Sequence, residues 1–317
     1  MKYNNNSFNE FNKPLVIDIK VNSLDDGPGI RTVIFFKGCN LDCIWCQNPE
    51  SKSSAIELLY ERDKCIGCNS CIDSCTLNAI SPENEFFVDR TKCTLCLECV
   101  KACPSTALSI IGKEMMVNDI IHKIIKYKPF YDISGGGVTL SGGEPTLSLE
   151  FISKLLKKLK SEGIYTLIET NGLFDFRRFK SLILPFLDVI YMDIKFINQE
   201  VHKKYCGVSN KVILENFSKL LDLSSCGKFT IIPRTPLIPN ITDTDENVQS
   251  IIQFLKKNEV HTASILKNNP LWLEKCDKLG ISHPLQNDHS VCEFYNPDKY
   301  EKIKAIFQAS NIDLIES

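Results

Sequence analysis

Eleven of the fifteen cysteines in this 317-residue chain fall into three short runs, and no other feature narrows its fold as far. Cys39, Cys43 and Cys46 form C-x3-C-x2-C. Cys65, Cys68, Cys71 and Cys75 form C-x2-C-x2-C-x3-C, and Cys93, Cys96, Cys99 and Cys103, followed by Pro104, repeat that pattern 28 residues later. Thiols this closely spaced are metal ligands, because a short loop turns soft donors toward one centre. An iron–sulfur cubane normally takes four protein thiolates. The first run therefore leaves one iron without a protein ligand, and an open metal position is where chemistry occurs. Zinc accepts the same thiolates. Gln47, directly after Cys46, is a poor fourth ligand for it, and zinc sites rarely need four close cysteines in each half of a repeat.

The first run follows a strand expected from Arg31 to Phe36, broken at Gly38. With Trp45 just before the last cysteine, it resembles the signature of radical S-adenosylmethionine (SAM) enzymes. The longer string, Gly27-Pro28-Gly29-Ile30-Arg31-Thr32 through Asn48-Pro49-Glu50-Ser51, is similar to the activating enzymes of glycyl radical enzymes. That resemblance covers Leu15 to Gly280. It implies that Cys39, Cys43 and Cys46 are the catalytic cluster ligands, that Trp45 belongs to the cofactor site, and that the open iron is chelated by the amino and carboxylate groups of SAM. The double run is similar to bacterial ferredoxins, where the fourth cysteine of each run crosses to the other cluster. This implies one 4Fe-4S cluster on Cys65, Cys68, Cys71 and Cys103 and another on Cys93, Cys96, Cys99 and Cys75, with Thr76 departing from the usual proline.

Elsewhere strands and helices alternate. Leu15 to Val21 reads as a strand ending in a turn at Asp25 to Gly29. Ile120, Ile121, Ile124 and Ile125 give Val117 to Lys128 one helical face, ended by Gly135-Gly136-Gly137. Val138 to Leu140 leads into Ser141-Gly142-Gly143-Glu144-Pro145, where a glycine pair lets backbone approach a ligand. The next helix, Ser148 to Ser161, buries Phe151, Ile152, Leu155, Leu156 and Leu159 and solvates Lys154, Lys157, Lys158 and Lys160. Strands at Tyr165 to Ile168 and Val189 to Met192 end in Glu169-Thr170 and Asp193-Ile194-Lys195, carboxylates better suited to a cleft than a core. Arg234 follows a strand at Phe229 to Ile232, its planar fork matched to a carboxylate.

The resemblance assigns Gly142, Gly143 and Glu144 to the SAM amino group. Glu169, Thr170, Asp193 and Lys195 fall to the SAM pocket or a bound monovalent cation, and Arg234 to the methionyl carboxylate. His202 fits the family's H-x-x-x-T-G run, in which Cys206 replaces threonine. Asn240 stands where relatives have glycine, which a residue tolerant of left-handed backbone accommodates. Beyond it lie an expected helix (Asn247 to Lys257), a strand (Ala263 to Leu266) and a closing helix (Asp298 to Ser310). His283, His289 and Cys292 lack repeated ligand spacing and are not read as another metal site. Cys226 and Cys276 read as packed thiols.

The expected fold is α/β: a partial (β/α)6 TIM-like barrel of the radical SAM type, residues 15–59 and 109–317, with a ferredoxin-like insert at residues 60–108. Residues 1–14 are polar, expected to be disordered, and carry no apolar signal-peptide core. With 37 basic and 39 acidic residues, no global field recruits nucleic acid or a membrane surface. No apolar run is long enough to span a bilayer. Thiols that must stay reduced imply a cytoplasmic, anaerobic setting.

The activity implied is an oxidoreductase that cleaves SAM and abstracts a glycine Cα hydrogen from a partner glycyl radical enzyme. It would use three 4Fe-4S clusters, take electrons from a flavodoxin or ferredoxin, and act as a monomer. Two alternatives share the motifs: a radical SAM enzyme acting on a small molecule or peptide, and an electron-transfer protein with three passive clusters. Relay, storage and structural support are all open roles for the insert.

Overall fold

Strands covered on both faces show consecutive buried residues instead of alternation, and six such strands build the centre of this molecule. In the computed structural model, which describes residues 13–315, β1 (Leu15–Ser23) and β2 (Arg31–Phe36) form an antiparallel pair. After the three-cysteine loop, β3 (Glu57–Tyr60) pairs antiparallel with β4 (Leu108–Ile111) as a separate ribbon. Between them in sequence lie two short helices, α1 (Ser70–Asp73) and α2 (Glu98–Ala102). β5 (Lys113–Glu114) then joins β1 at the sheet edge.

Strands and helices alternate from there: α3 (Val117–Ile124), α4 (Lys128–Ser134), β6 (Gly137–Gly142), α5 (Leu149–Ser161), β7 (Tyr165–Thr170), α6 (Phe176–Leu182) and β8 (Val189–Asp193). They continue with α7 (Gln199–Cys206), α8 (Lys211–Ser224), β9 (Thr230–Leu237), α9 (Asp245–Lys257), β10 (Thr262–Lys267), α10 (Trp272–Leu279), α11 (Pro297–Ala309) and β11 (Asp313–Leu314). The nine-stranded sheet runs β11-β10-β9-β8-β7-β6-β2-β1-β5, so its two ends do not pair. β2, β6, β7, β8, β9 and β10 are mutually parallel neighbours. The helices bury their apolar stripes on this sheet, and in α5 the residues Ile152, Leu155, Leu156 and Leu159 are fully enclosed.

Register decides what meets at the carboxyl edge. Phe36 lies opposite Gly142, Thr170 opposite Met192, and Asp193 opposite Arg234. The cysteine loop, the glycine pair and the charged strand ends therefore share one rim, the usual location of chemistry in parallel α/β folds.

Several expectations are corrected. The helix expected from Val117 to Lys128 stops at Ile124, and after a short turn α4 begins afresh with Pro129 in its first turn and Gly135 closing it at φ 69°. Proline lacks an N–H, which only the first turn of a helix can spare. Arg234 lies within β9, not after it, because Pro233 and Pro236 forfeit their own N–H bonds without leaving extended backbone. Lys160 is not simply solvated: its Nζ is 2.8 Å from both carboxylate oxygens of Asp188. Cys226 is exposed in the turn after α8, whereas Cys276 is buried as expected. Asn240 does adopt left-handed backbone, at φ 60°. The polar N-terminal segment lies, apart from Lys13 and Pro14, outside the described residues. Among those residues no helix is long and apolar enough to cross a membrane.

The 28-residue repeat is visible in the backbone. Left-handed residues recur in pairs at that interval: Gly67 and Leu95, Asn69 and Leu97, Asn78 and Thr106. Leucine and threonine hold that conformation only against resistance from their side chains. The surrounding turns, not local preference, therefore enforce it in the second half.

Candidate active site

The three-cysteine loop is tied down at both ends and in its middle. The Gly38 N–H donates to Ser51 O (2.8 Å) and the Cys39 N–H to Lys52 O (3.2 Å), closing the loop on its own start. Lys37 Nζ donates to Glu50 O and to Glu57 Oε2, each at 2.6 Å. The end of α7 leaves carbonyls without helical partners, and two loop amides use them: Asp42 N–H donates to Cys206 O (2.9 Å) and Ile44 N–H to Tyr205 O (3.1 Å). Cys206, the residue in threonine's place, is fully buried, with its thiol beside that of Cys43.

The glycine pair presses against this same loop. Gly143 N–H donates to Phe36 O and Glu144 N–H to Gly38 O, both at 2.8 Å. A Cβ on Gly143 would lie 2.1 Å from Gly38 O, and one on Gly142 2.4 Å from Phe36 N and O. The close approach that demands glycine is thus to the cysteine loop's own backbone. Gly143→Ala is expected to cost most of the iron that the three-cysteine loop would hold, about four atoms per chain, and to leave any iron bound elsewhere in the chain in place. Iron and sulfide analysis with anaerobic EPR checks this, and a full complement in the variant would show that the turn can shift to admit the methyl group.

Glu144 is 1% exposed, and protein groups occupy both its oxygens. Oε1 accepts from Thr146 N–H (3.1 Å), Thr146 Oγ1 (2.6 Å) and Thr170 Oγ1 (2.8 Å), and Oε2 from Asn171 N–H (2.7 Å). Burial pushes its pKa up against the pull of these donors. What this turn offers a ligand is therefore backbone, with Glu144 and Thr170 bracing it.

Asn171, not singled out from sequence, joins three motifs. Its Nδ2 donates to Asn40 Oδ1 (2.8 Å) and toward Cys39 Sγ (3.7 Å), while its backbone N–H holds Glu144. Its place directly after Glu169-Thr170 was the available signal. Trp45 is buried, 5.9 Å edge-on to Phe196 and 6.1 Å from Tyr205, so it packs the loop. His202 is buried as well, with Nδ1 2.7 Å from Val208 O, and burial lowers its pKa.

Along the rim runs a row of alternating charges. Ser141 Oγ donates to Glu169 Oε2 (2.5 Å), Arg234 Nη1 contacts Glu169 Oε1 (2.5 Å), and Arg234 reaches Asp193 Oδ1 (3.3 Å). Asp193 Oδ2 pairs with Lys195 Nζ (2.7 Å). The Arg234 guanidinium also lies 5.2 Å over the Tyr191 ring. Burial alone would raise the Asp193 pKa, but Lys195 and Arg234 outweigh it and hold the carboxyl below its ordinary value. Against burial, Asp193 raises the pKa of Lys195, and Glu169 with Asp193 raises that of Arg234. This row places Asp193, Lys195, Arg234 and Glu169 together as expected, and adds Ser141.

The cysteines suit a metal cluster better than free thiols. Burial pushes Cys39 up to about 12 and Cys46 up to about 11, and the contact with Cys206, then burial, raises Cys43. Three soft donors that ionise poorly alone are what a metal centre deprotonates outright. Trp272 and Cys276 pack in the same buried group as Leu41, Cys43 and Trp45, and the Trp272 indole N–H is buried without a partner among the described residues. A cluster in this loop brings sulfur acceptors into that region.

In the insert, one cavity is lined by Cys75, Cys93, Cys96 and Cys99, and another by Cys65, Cys68, Cys71 and Cys103. The fourth cysteine of each run thus sits with the first three of the other. Among the described residues no group of three or more His, Cys, Asp or Glu is arranged to hold a single metal ion. His283 packs 3.9 Å from the Trp272 ring and accepts the Leu285 N–H, while the Cys292 thiol donates to the carbonyls of Leu285 and Gln286.

The Radical SAM superfamily profile matches residues 33–255. The chain is 40% identical over 304 residues to the trans-4-hydroxy-L-proline dehydratase activating enzyme of Clostridioides difficile, covering 95% of this chain and 98% of that one. It is 38% identical to the (2S)-3-sulfopropanediol dehydratase activating enzyme of Klebsiella oxytoca, over 86% and 87% of the two chains. It is also 38% identical to the indoleacetate decarboxylase activating enzyme of Tractidigestivibacter scatoligenes, over 87% and 89%.

Proposed function

Because this chain belongs to the radical SAM superfamily and, within it, to the activating enzymes of glycyl radical enzymes, we propose that it installs a glycyl radical in a partner enzyme. When bound, a 4Fe-4S cluster on Cys39, Cys43 and Cys46 supplies an electron that splits SAM into methionine and a 5′-deoxyadenosyl radical, which takes a Cα hydrogen from one glycine of the partner. The observation that carries this reading is the shared rim, where the three-cysteine loop meets the Glu169–Arg234–Asp193–Lys195 row.

Each part of the chain has a task at that rim. Alternating carboxylates and cations suit a ligand that carries an ammonium, a carboxylate and a sulfonium. Arg234 already holds two carboxylates, so a ligand carboxylate reaching it has to share or displace one of them. The same acidic groups are the natural neighbours of a monovalent cation. Trp45, Phe196 and Tyr205 wall the loop with rings and keep water from the reacting groups. Asn171 and the Gly142–Gly143 turn fix the loop against the sheet.

The partial barrel of residues 15–59 and 109–317 and a ferredoxin-like insert at 60–108 complete this reading. Two more 4Fe-4S clusters sit in the insert, supported by the two four-cysteine cavities. A flavodoxin or ferredoxin supplies the electron to a monomer in the cytoplasm. Co-expression with a glycyl radical enzyme, followed by anaerobic reduction with SAM, should produce the EPR doublet of a glycyl radical. Formation of 5′-deoxyadenosine with no doublet on any such partner would overturn the glycine target.

A further inference from the structure

One helix, α10, touches both cysteine-rich regions. On one side Lys275 Nζ donates to Gln47 O (3.1 Å) and Asn48 Oδ1 (2.8 Å) and pairs with Glu50 (2.8 Å), directly behind Cys46. Trp272 and Cys276, one turn apart on α10, pack into the buried group that contains Cys43. On the other side Lys278 pairs with Glu61 of the insert (3.4 Å), and the Lys278 carbonyl accepts from Arg90 Nη2 (3.5 Å).

Arg90 lies three residues before Cys93. Its Nη1 donates to Leu58 O on β3 (2.6 Å), and a Cβ on Gly280, at the end of α10, would lie 3.0 Å from its Nε. That Nε is buried and has no hydrogen-bond partner among the described residues. The guanidinium is within electrostatic reach of the Cys93 and Cys99 sulfurs.

The two insert cavities are not equivalent in this arrangement. β3 starts at Glu57, which is bound to Lys37 beside the three-cysteine loop. Leu58 lines the cavity of Cys75, Cys93, Cys96 and Cys99, whereas Tyr60, further along the strand, lines the cavity of Cys65, Cys68, Cys71 and Cys103. The first cavity, nearer the start of β3, is the inner one by that measure, and Arg90 joins it to α10.

We propose that Arg90 is a positioning residue that clamps the inner cysteine set to α10 and, as a fixed positive charge, raises the reduction potential of the cluster held there. The inference rests on the reading that the insert holds two 4Fe-4S clusters. A cation beside a cluster stabilises the form carrying the extra electron, and partial burial strengthens the effect. The centre beside Arg90 would then be easier to reduce than it is without that charge, by uptake of one electron with no bond made or broken.

The test uses full-length protein carrying Cys39→Ala, Cys43→Ala and Cys46→Ala, so that only insert clusters remain, reduced stepwise with dithionite and followed by EPR. Two couples are expected, and Arg90→Gln should lower one of them by about tenfold in its reduction equilibrium, about 59 mV for one electron, leaving the other in place. Two unmoved couples with full iron would overturn the proposal and leave Arg90 a mechanical clamp. Should Arg90→Gln lose its iron, Arg90→Lys decides: a potential near wild type supports the charge effect, and a lowered one refutes it. Cys93→Ser with Cys96→Ser separates the underlying reading, because unchanged iron in that variant would mean the insert does not hold the inner cluster at all.

Discussion

Cys43→Ala is expected to reduce 5′-deoxyadenosine formation from SAM to background and to remove about four irons per chain. Of the three loop cysteines it is the most deeply placed against the core, packed with Leu41 and Trp45. Its neighbours are Cys206 and the Lys195 ammonium. Alanine leaves two thiolates where a cubane with one open iron needs three. The neighbouring thiol, Cys206, sits on α7, outside the loop that carries Cys39 and Cys46. Anaerobic reduction of reconstituted protein with SAM, followed by chromatography of the nucleoside products, gives the answer directly. A variant that cleaves SAM at the wild-type rate would remove the three-cysteine loop from the chemistry.

Arg234→Met is expected to destabilise the protein by about 3–5 kcal/mol, the range for breaking a buried ion pair by deleting one partner. Arg234 is 9% exposed and spans Glu169 and Asp193, which are 12% and 21% exposed. Without it, two carboxylates face one another with only Lys195 and Ser141 in support. The pH dependence has a definite sign. Asp193's pKa is depressed in the folded protein, so its contribution is fully present above the unfolded value of about 3.9 and is lost as pH falls through the depressed one. Part of that contribution comes from Arg234. The gap between wild type and variant is therefore widest near neutrality and narrows below about pH 4. Arg234→Lys restores charge without the planar fork and should recover only part of the loss. Urea unfolding of the protein across pH 3.5 to 7, with linear extrapolation to zero denaturant, measures all three, and equal stabilities at neutral pH would mean that the row contributes nothing.

Much of the rim was legible in the sequence because its parts are local. The three-cysteine spacing, the glycine pair and the carboxylates at strand ends each declare themselves within a few residues. Parallel register, which sequence periodicity alone does not specify, then brings Arg234 beside Asp193 and Glu169. Side-chain direction was not legible. Glu144 looked like a ligand group beside a glycine turn, yet its oxygens are taken by Thr146, Thr170 and Asn171. Trp45 and His202 likewise turn into packing.

The α10 clamp was beyond local pattern, since Lys275 meets Gln47 from 228 residues away. Pro129 was a readable signal for α4: proline near a helix start and glycine at its end mark a new helix, although the isoleucine stripe runs up to it. Cys226 was misjudged because thiols are usually buried, and nothing in its short turn supplies a cover.

The ribbon of β3 and β4 brings the two ends of the eight-cysteine segment side by side, with Glu57 opposite Ile111 and Tyr60 opposite Leu108. The main chain thus departs and comes home at adjacent doors. A segment moored this way hangs from a two-stranded stem of its own, so a change in its length need not shift any strand of the principal sheet.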